Sequence, residues 1–120
     1  MKARERTTIA NDTPRAERIA RLNDNLRKSG LGGRIMVTRG VQALDGYRSP
    51  ELVAELVTYN DFDADNDPHG ERDFGGFDLW GAELLWKIDY FDNELIYRSP
   101  DPADPAVTTR VLTVMLAEEY

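Results

Sequence analysis

Residues 60–75 constrain the fold most, because neither a helix nor a strand suits their composition. The run reads Asn-Asp-Phe-Asp-Ala-Asp-Asn-Asp-Pro-His-Gly-Glu-Arg-Asp-Phe-Gly and contains the only histidine of the chain, His69. Asp, Asn, Pro and Gly favour turns, because they cap neighbouring amides, fix φ or tolerate positive φ. We therefore expect a long loop, the acidic segment, whose carboxylates either stay in water or converge on something positive.

The stretches on either side predict regular elements. Alternation of Leu84, Trp86 and Ile88 with polar or outward residues is typical of a strand, and Thr13-Pro14 and Ser49-Pro50 suit helix starts. Helices are expected at 14–29, 50–59 and 105–118, and strands at 34–39, 74–79, 84–90 and 95–98. The helix at 105–118 is apolar over most of its circumference, so we expect it to be buried across the sheet.

These elements predict an α+β fold, with an antiparallel sheet (a three-stranded meander plus an N-terminal strand) and helices packed on one face. With 120 residues, the chain is expected to form a single domain over residues 13–120. Residues 1–12 carry no apolar period and are expected to be a flexible tail.

Composition excludes several classes of site. The chain has no cysteine, which excludes disulfides, thiolate metal sites and cysteine nucleophiles. No apolar stretch follows the first residues, and no apolar run approaches the roughly 18 residues of a membrane span, so we expect no signal peptide and no membrane contact. A cytoplasmic location is the default expectation.

The charge is divided unevenly along the chain. Residues 1–50 carry 11 Lys/Arg against 5 Asp/Glu, a balance of +6, and residues 51–120 carry 4 against 17, a balance of −13, giving the net −7. Such asymmetry can produce one strongly negative face that binds a basic partner, although a plainly solvated surface also fits. The predicted partner-binding residues are Asp61, Asp63, Asp65, Asp67, Glu71, Asp73, Asp78, Asp89 and Asp92. Direct nucleic-acid binding is not expected from this acidic balance.

Divalent metal binding is the alternative use of the acidic segment. Asp61, Asp63 and Asp65 fall on the first three ligand positions of a calcium-binding EF-hand loop. The match then fails, since Asn66 replaces the glycine at the sixth position and Arg72 replaces the bidentate glutamate at the twelfth. A standard EF-hand is not expected, and we assign no metal ligand and no cofactor. A metal-dependent or His-assisted hydrolase remains the rival function.

Pro68, His69 and Gly70 are expected to form a structural turn. Proline restricts the preceding residue to extended geometry, and glycine permits a reversal directly after the histidine. With carboxylates on both sides, His69 is expected to pair with an aspartate and to have a pKa above the reference of about 6.5. This role is structural, so no catalytic residue is assigned.

Several runs of the chain together resemble a small family of bacterial proteins known only as a domain of unknown function. They are residues 60–62, 65–75, 86–90, 101–105 and 110–117, and the resemblance extends over residues 19–120. The block Asp-Asn-Asp-Pro-His-Gly-Glu is its most specific part. The resemblance implies a setting on alphaproteobacterial plasmids, phages and integrated elements, where small acidic proteins often antagonise restriction or CRISPR defence.

The leading hypothesis is therefore a small acidic inhibitor, of anti-CRISPR or anti-restriction type, that acts by DNA mimicry. It would occupy the basic nucleic-acid-binding groove of a larger host protein. Regularly spaced aspartates can imitate phosphates, which lie about 1.7 Å apart along the axis of duplex DNA. Enzymatic activity is the less favoured reading.

Overall fold

A four-stranded mixed sheet with strand order β1-β4-β3-β2 organises residues 14–120, the part of the chain that the computed structural model describes. The strands are β1 (Gly33–Val37), β2 (Phe74–Leu79), β3 (Ala82–Phe91) and β4 (Thr109–Leu116). The α-helices are α1 (Arg15–Ser29), α2 (Arg39–Gln42) and α3 (Ser49–Thr58), and 3-10 turns lie at Pro105–Val107 and Ala117–Glu119. The tail expected at residues 1–12 lies outside the described residues.

The two long helices confirm the sequence pattern. Helix α1 ends where Gly30 adopts a left-handed conformation (φ 74°), which glycine adopts without steric cost. Helix α3 has Pro50 in its first turn, where the missing N–H removes no helical bond. Both helices bury one face, represented by Ile19 in α1 and Leu56 in α3, in a core shared with the sheet.

Strands β2 and β3 form the hairpin that the alternation predicts. The strands are joined by Trp80 (φ 53°) and Gly81 (φ 76°), and two positive φ values in succession match the right-handed twist of a tight hairpin. Along β3, Leu84, Trp86 and Ile88 are buried against the helices. The prediction for this part of the chain is confirmed.

The prediction of a helix at 105–118 is wrong. After the 3-10 turn Pro105–Val107, the chain continues as strand β4, in which Arg110, Leu112 and Val114 are buried at every second position. β-branched residues dominate the run Val-Thr-Thr-Arg-Val-Leu-Thr-Val, and they lose more side-chain freedom in a helix than in a strand. The apolar content that suggested a buried helix instead belongs to a strand in the middle of the sheet.

The strand expected at 95–98 is also absent. Asp92 accepts the N–H of Ile96 at 3.0 Å, Leu95 takes a positive φ of 60°, and pairing is reduced to one bridge between Phe91 and Arg98. The antiparallel meander exists as β2-β3-β4, so its third strand is 109–116. Strand β1 joins it in parallel along β4, which makes the sheet mixed rather than antiparallel.

Helices α1 and α3 lie on the sheet face that carries Trp86 and Val114, and this common core includes Ile19, Leu26 and Leu56. Within residues 14–120, no helix combines the length and the apolar character needed to cross a membrane.

Candidate functional site

The first part of the acidic segment, residues 60–67 (its outer end), is held by hydrogen bonds within the segment. The Asp63 carboxylate accepts the N–H groups of Asp65 and Asn66 at 2.9 and 3.0 Å. The Asn66 side chain accepts the N–H of Asp63 at 2.9 Å and donates to the carbonyl oxygen of Asp61 at 2.7 Å. These side chains replace backbone pairing, so the outer end has a defined shape without being helix or strand.

The last part, residues 71–73 (its inner end), is attached to α1 through Arg72. The Asp67 carboxylate accepts the Arg72 N–H at 2.9 Å, where Arg72 takes a positive φ of 52°. The Arg72 guanidinium reaches Asp24 at 2.9 Å and Glu17 at 3.4 Å. The hydrogen bond from Arg72 to the Asp24 carboxylate is the main reason that the pKa of Arg72 is raised. The only arginine of the segment is thus directed to the helix and away from the neighbouring carboxylates.

A buried polar network lies behind the inner end. Tyr90 OH donates to the Glu71 carboxylate at 3.0 Å and accepts from the Asn23 amide at 2.8 Å, and the same amide donates to the Glu71 carbonyl at 2.9 Å. Arg110 Nε donates to Asn23 Oδ1 at 2.8 Å, and its terminal nitrogen donates to the Pro102 carbonyl. The network links α1, β3, β4 and the acidic segment; solvent barely reaches Asn23, Tyr90 and Arg110, and Glu71 is partly buried.

Burial shifts the titration of this network. It raises the pKa of the Tyr90 hydroxyl and lowers the pKa of Arg110, because in each case the charged form loses hydration. Burial also raises the pKa of Asp73, and the nearby Glu71 carboxylate adds to the effect. The inner end therefore disfavours further negative charge, although it contains two carboxylates.

The structure separates the nine residues predicted to bind a partner. Four are exposed, namely Asp61, Asp63, Asp65 and Asp78, and five are partly buried, namely Asp67, Glu71, Asp73, Asp89 and Asp92. Asp89 pairs with Lys87 at 2.8 Å, and Asp92 accepts the Ile96 N–H in a turn. Asp65, Asp73 and Asp89 line one depression of about 400 Å³, whereas Asp78 lies further along β2, opposite Glu83.

His69 lies exposed between Pro68 and Gly70, and Gly70 takes the positive φ (71°) that the reversal requires. Among residues 14–120, its imidazole makes no hydrogen bond and no ion pair, so the aspartate pairing expected from the sequence does not appear there. The contacts that hold the loop come from Asp63, Asn66 and Asp67.

The acidic segment does not assemble a cation site in the described part of the chain. No three carboxylate or imidazole groups of residues 14–120 converge as ligands for one metal ion. The carboxylates are instead distributed over the surface or occupied as hydrogen-bond acceptors.

Sequence reasoning missed Asn23, Arg27 and Arg110, all of which are buried. The Arg27 guanidinium lies over both the Phe62 and the Trp86 ring, with its Cζ 5.5 Å from each centroid, and donates to the carbonyl of Leu56 at 2.6 Å. A signal existed in each case. Asn23 and Arg27 share the helical spacing of Ile19 and Leu26, and Arg110 shares the strand alternation of Leu112 and Val114.

Comparison with known proteins places the chain in a family without assigning an activity. No curated protein and no solved structure shows a significant match to the chain. The model of one family, described as "Protein of unknown function (DUF3768)", matches residues 37–119. This match spans the acidic segment and strands β2 to β4, more than half of the sequence, and the chain therefore belongs to the DUF3768 family.

Proposed function

We propose that this protein is a small acidic inhibitor that binds the basic nucleic-acid-binding groove of a larger protein. One observation carries the proposal: within residues 14–120, none of the six carboxylates of the acidic segment forms an ion pair. The arginine that could neutralise them, Arg72, is bound by Asp24 and Glu17. The negative charge of the segment is thus left for an external cation.

The outer end supplies the contact surface. Asp61, Asp63 and Asp65 are exposed at alternate positions, and Asn66 holds the backbone between them. A rigid array of carboxylates loses less conformational entropy on binding than a mobile loop. Charge complementarity mainly steers association and excludes wrong partners, so the affinity should fall as salt screens the charges.

Defence nucleases are the partner class that we propose, on the strength of the resemblance to proteins of mobile elements. The mode of action is DNA mimicry, in which the carboxylates occupy positions that phosphates would take. The rival function, a metal-dependent or His-assisted hydrolase on the same segment, remains a prediction that no contact described here favours.

Inhibition of DNA cleavage tests the proposal. The purified protein is added to a panel of restriction endonucleases and RNA-guided nucleases acting on plasmid DNA, at about 50 and 300 mM salt. We expect inhibition of at least one enzyme at low salt, weakened at least about tenfold at high salt because the contacts are ionic.

Two double variants with the same change in charge sharpen the test. Asp61→Lys with Asp65→Lys should abolish inhibition, whereas Asp45→Lys with Glu94→Lys changes exposed carboxylates outside the acidic segment and should leave most of it. An equal loss of inhibition in both double variants would show that inhibition depends on the net charge of the protein and not on the acidic segment. Absence of inhibition across the panel would contradict the choice of partner.

A further inference from the structure

The two edges of the sheet differ in how they are closed. At the β2 edge, the Gly76 N–H meets the Tyr59 hydroxyl at 3.4 Å, so a side chain covers the backbone. At the β1 edge, the Thr38 N–H donates to the carbonyl oxygen of Val114 at 3.0 Å. The backbone groups of successive strand residues point to opposite sides, so those of residues 36 and 38 point towards β4. The N–H and C=O groups of Ile35 and Val37 therefore point away from β4. The side-chain amide of Gln42 reaches Val37 O at 2.9 Å, and within residues 14–120 the N–H and C=O of Ile35 have no such partner.

An apolar groove runs beside this open edge. It has a volume of about 360 Å³, and its apolar lining comes from β1 and α3 through Ile35, Val37, Leu52, Val53 and Leu56. Ile35 is 41% exposed and Val53 is 53% exposed, so the groove presents apolar side chains of β1 and α3 to solvent. A strand added to β1 would direct every second side chain over this groove, because strand side chains alternate between faces.

Basic side chains flank the β1 edge on both faces of the sheet. Lys28 lines the groove at the end of α1. Arg34 alternates with Ile35 along β1, so it is exposed on the opposite face, and Arg39 in α2 is also exposed. Within residues 14–120, none of these three side chains takes part in an ion pair. The edge therefore suits an extended segment that carries negative charge.

We propose that the β1 edge binds an acidic, extended segment of a partner protein by β-strand addition, with alternate apolar side chains of that segment over the groove. In such complexes the backbone hydrogen bonds supply affinity and the side-chain sites supply specificity. This surface is distinct from the acidic segment, so the protein would present a basic strand edge to one partner and a carboxylate array to another.

The chain itself does not offer a suitable occupant. The acidic segment of a second copy is held in turns by Asp63 and Asn66, so it does not present an extended strand. Residues 1–13 carry three basic side chains against two acidic ones, a balance that does not complement the basic side chains at the β1 edge. Two β1 edges brought together would place the basic side chains of both copies, Lys28, Arg34 and Arg39, close to one another, where like charges repel.

Peptide binding tests the proposal directly. The probe is a fluorescein-labelled peptide, Glu-Glu-Val-Thr-Val-Thr-Val-Glu-Glu, and its anisotropy is followed with added protein. A peptide of the same core flanked by lysines serves as the control, and we expect it to bind at least about tenfold more weakly. On binding of the acidic peptide, the amide of Ile35 should become protected from hydrogen exchange.

Variants locate the site. Ile35→Pro removes an N–H that points away from β4, so the β1–β4 ladder keeps its bonds while strand addition is blocked. Arg34→Glu provides a second variant that keeps the backbone unchanged, and Arg98→Glu is its control at an exposed site outside the groove. Loss of binding is expected in the first two only.

Three results would overturn the proposal. The first is absence of peptide binding at millimolar concentration. The second is binding of a 20-base-pair duplex DNA that Arg34→Glu abolishes while the peptide stays unbound, which would make the surface a nucleic-acid site. The third is self-association by sedimentation that Ile35→Pro removes, which would make β1 an interface between copies.

Discussion

The two ends of the acidic segment both contain carboxylates, four at the outer end and two beside Arg72 at the inner end, but their surroundings are opposite. At the outer end, Asp61 and Asp65 project into solvent, and the hydrogen bonds stay largely within the segment. At the inner end, Glu71 is joined to Asn23 and Tyr90 in a buried network, and Arg72 is bound by helix α1. The comparison separates a part that supports the fold from a part that is available to a partner, although both read as one acidic run.

The largest loss of stability is expected when the buried network behind the inner end is disrupted. Asn23→Ala removes the amide that bridges Arg110, Tyr90 and the Glu71 carbonyl, and it leaves a buried guanidinium without that acceptor. We expect the free energy of unfolding to fall by about 3 kcal/mol or more, because a buried charge that loses its partner is costly. Urea unfolding measures the change.

Asn25→Ala is the matched control, since it makes the same substitution on the exposed side of α1. It should alter stability by no more than about 0.5 kcal/mol. A loss of similar size in both variants would show that the network is not the reason for the effect.

An intermediate effect concerns the charge of Asp73. Its pKa is raised chiefly by burial, so the carboxyl group ionises more easily in the unfolded chain than in the folded one. The folded state therefore loses stability as the pH rises from the unfolded pKa of about 3.9 through the higher folded pKa. Asp73→Asn should therefore melt at a higher temperature than the native protein at pH 7. The difference should vanish near pH 3, which melting curves across this range can measure.

Asp101→Asn provides a control of opposite sign. The hydrogen bond from Arg15 lowers the pKa of Asp101, so its contribution is present above the unfolded pKa and disappears as pH falls through the folded one. This variant should lose stability relative to the native protein at pH 7. If the two variants shift in the same direction, burial is not the cause at Asp73.

The smallest expected effect is at the outer end. Within residues 14–120, the carboxylates of Asp61 and Asp65 accept no hydrogen bond, so Asp61→Lys with Asp65→Lys should change the free energy of unfolding by less than about 1 kcal/mol. Asp63→Ala removes the cap on two N–H groups and should cost about 1–2 kcal/mol. Chemical denaturation measures the free energy of unfolding of both variants. A large loss of stability in the double lysine variant would contradict the view that only the inner end supports the fold.

The sequence by itself determined the elements that carry a local signal. Pro14 and Gly30 bracket α1, Trp80-Gly81 turns the hairpin, and the composition of residues 60–73 excludes helix and strand. Turn and cap preferences depend on a few neighbouring residues, so they can be recognised without knowing the rest of the fold. The exposure of Asp61, Asp63 and Asp65 also follows from such local preferences.

Only the tertiary structure decided the state of residues 109–116 and the fate of the inner end. An apolar run alone suits either a buried helix or a buried strand. The β-branched residues of this run favour the strand, and pairing with both β1 and β3 fixes it in the middle of the sheet. That choice carries Arg110 inward, where Asn23 from α1, 87 residues away, accepts its hydrogen bond. Contacts over such separations depend on the assembled sheet, so the division of the acidic segment into a bound end and a free end could not be read from its composition.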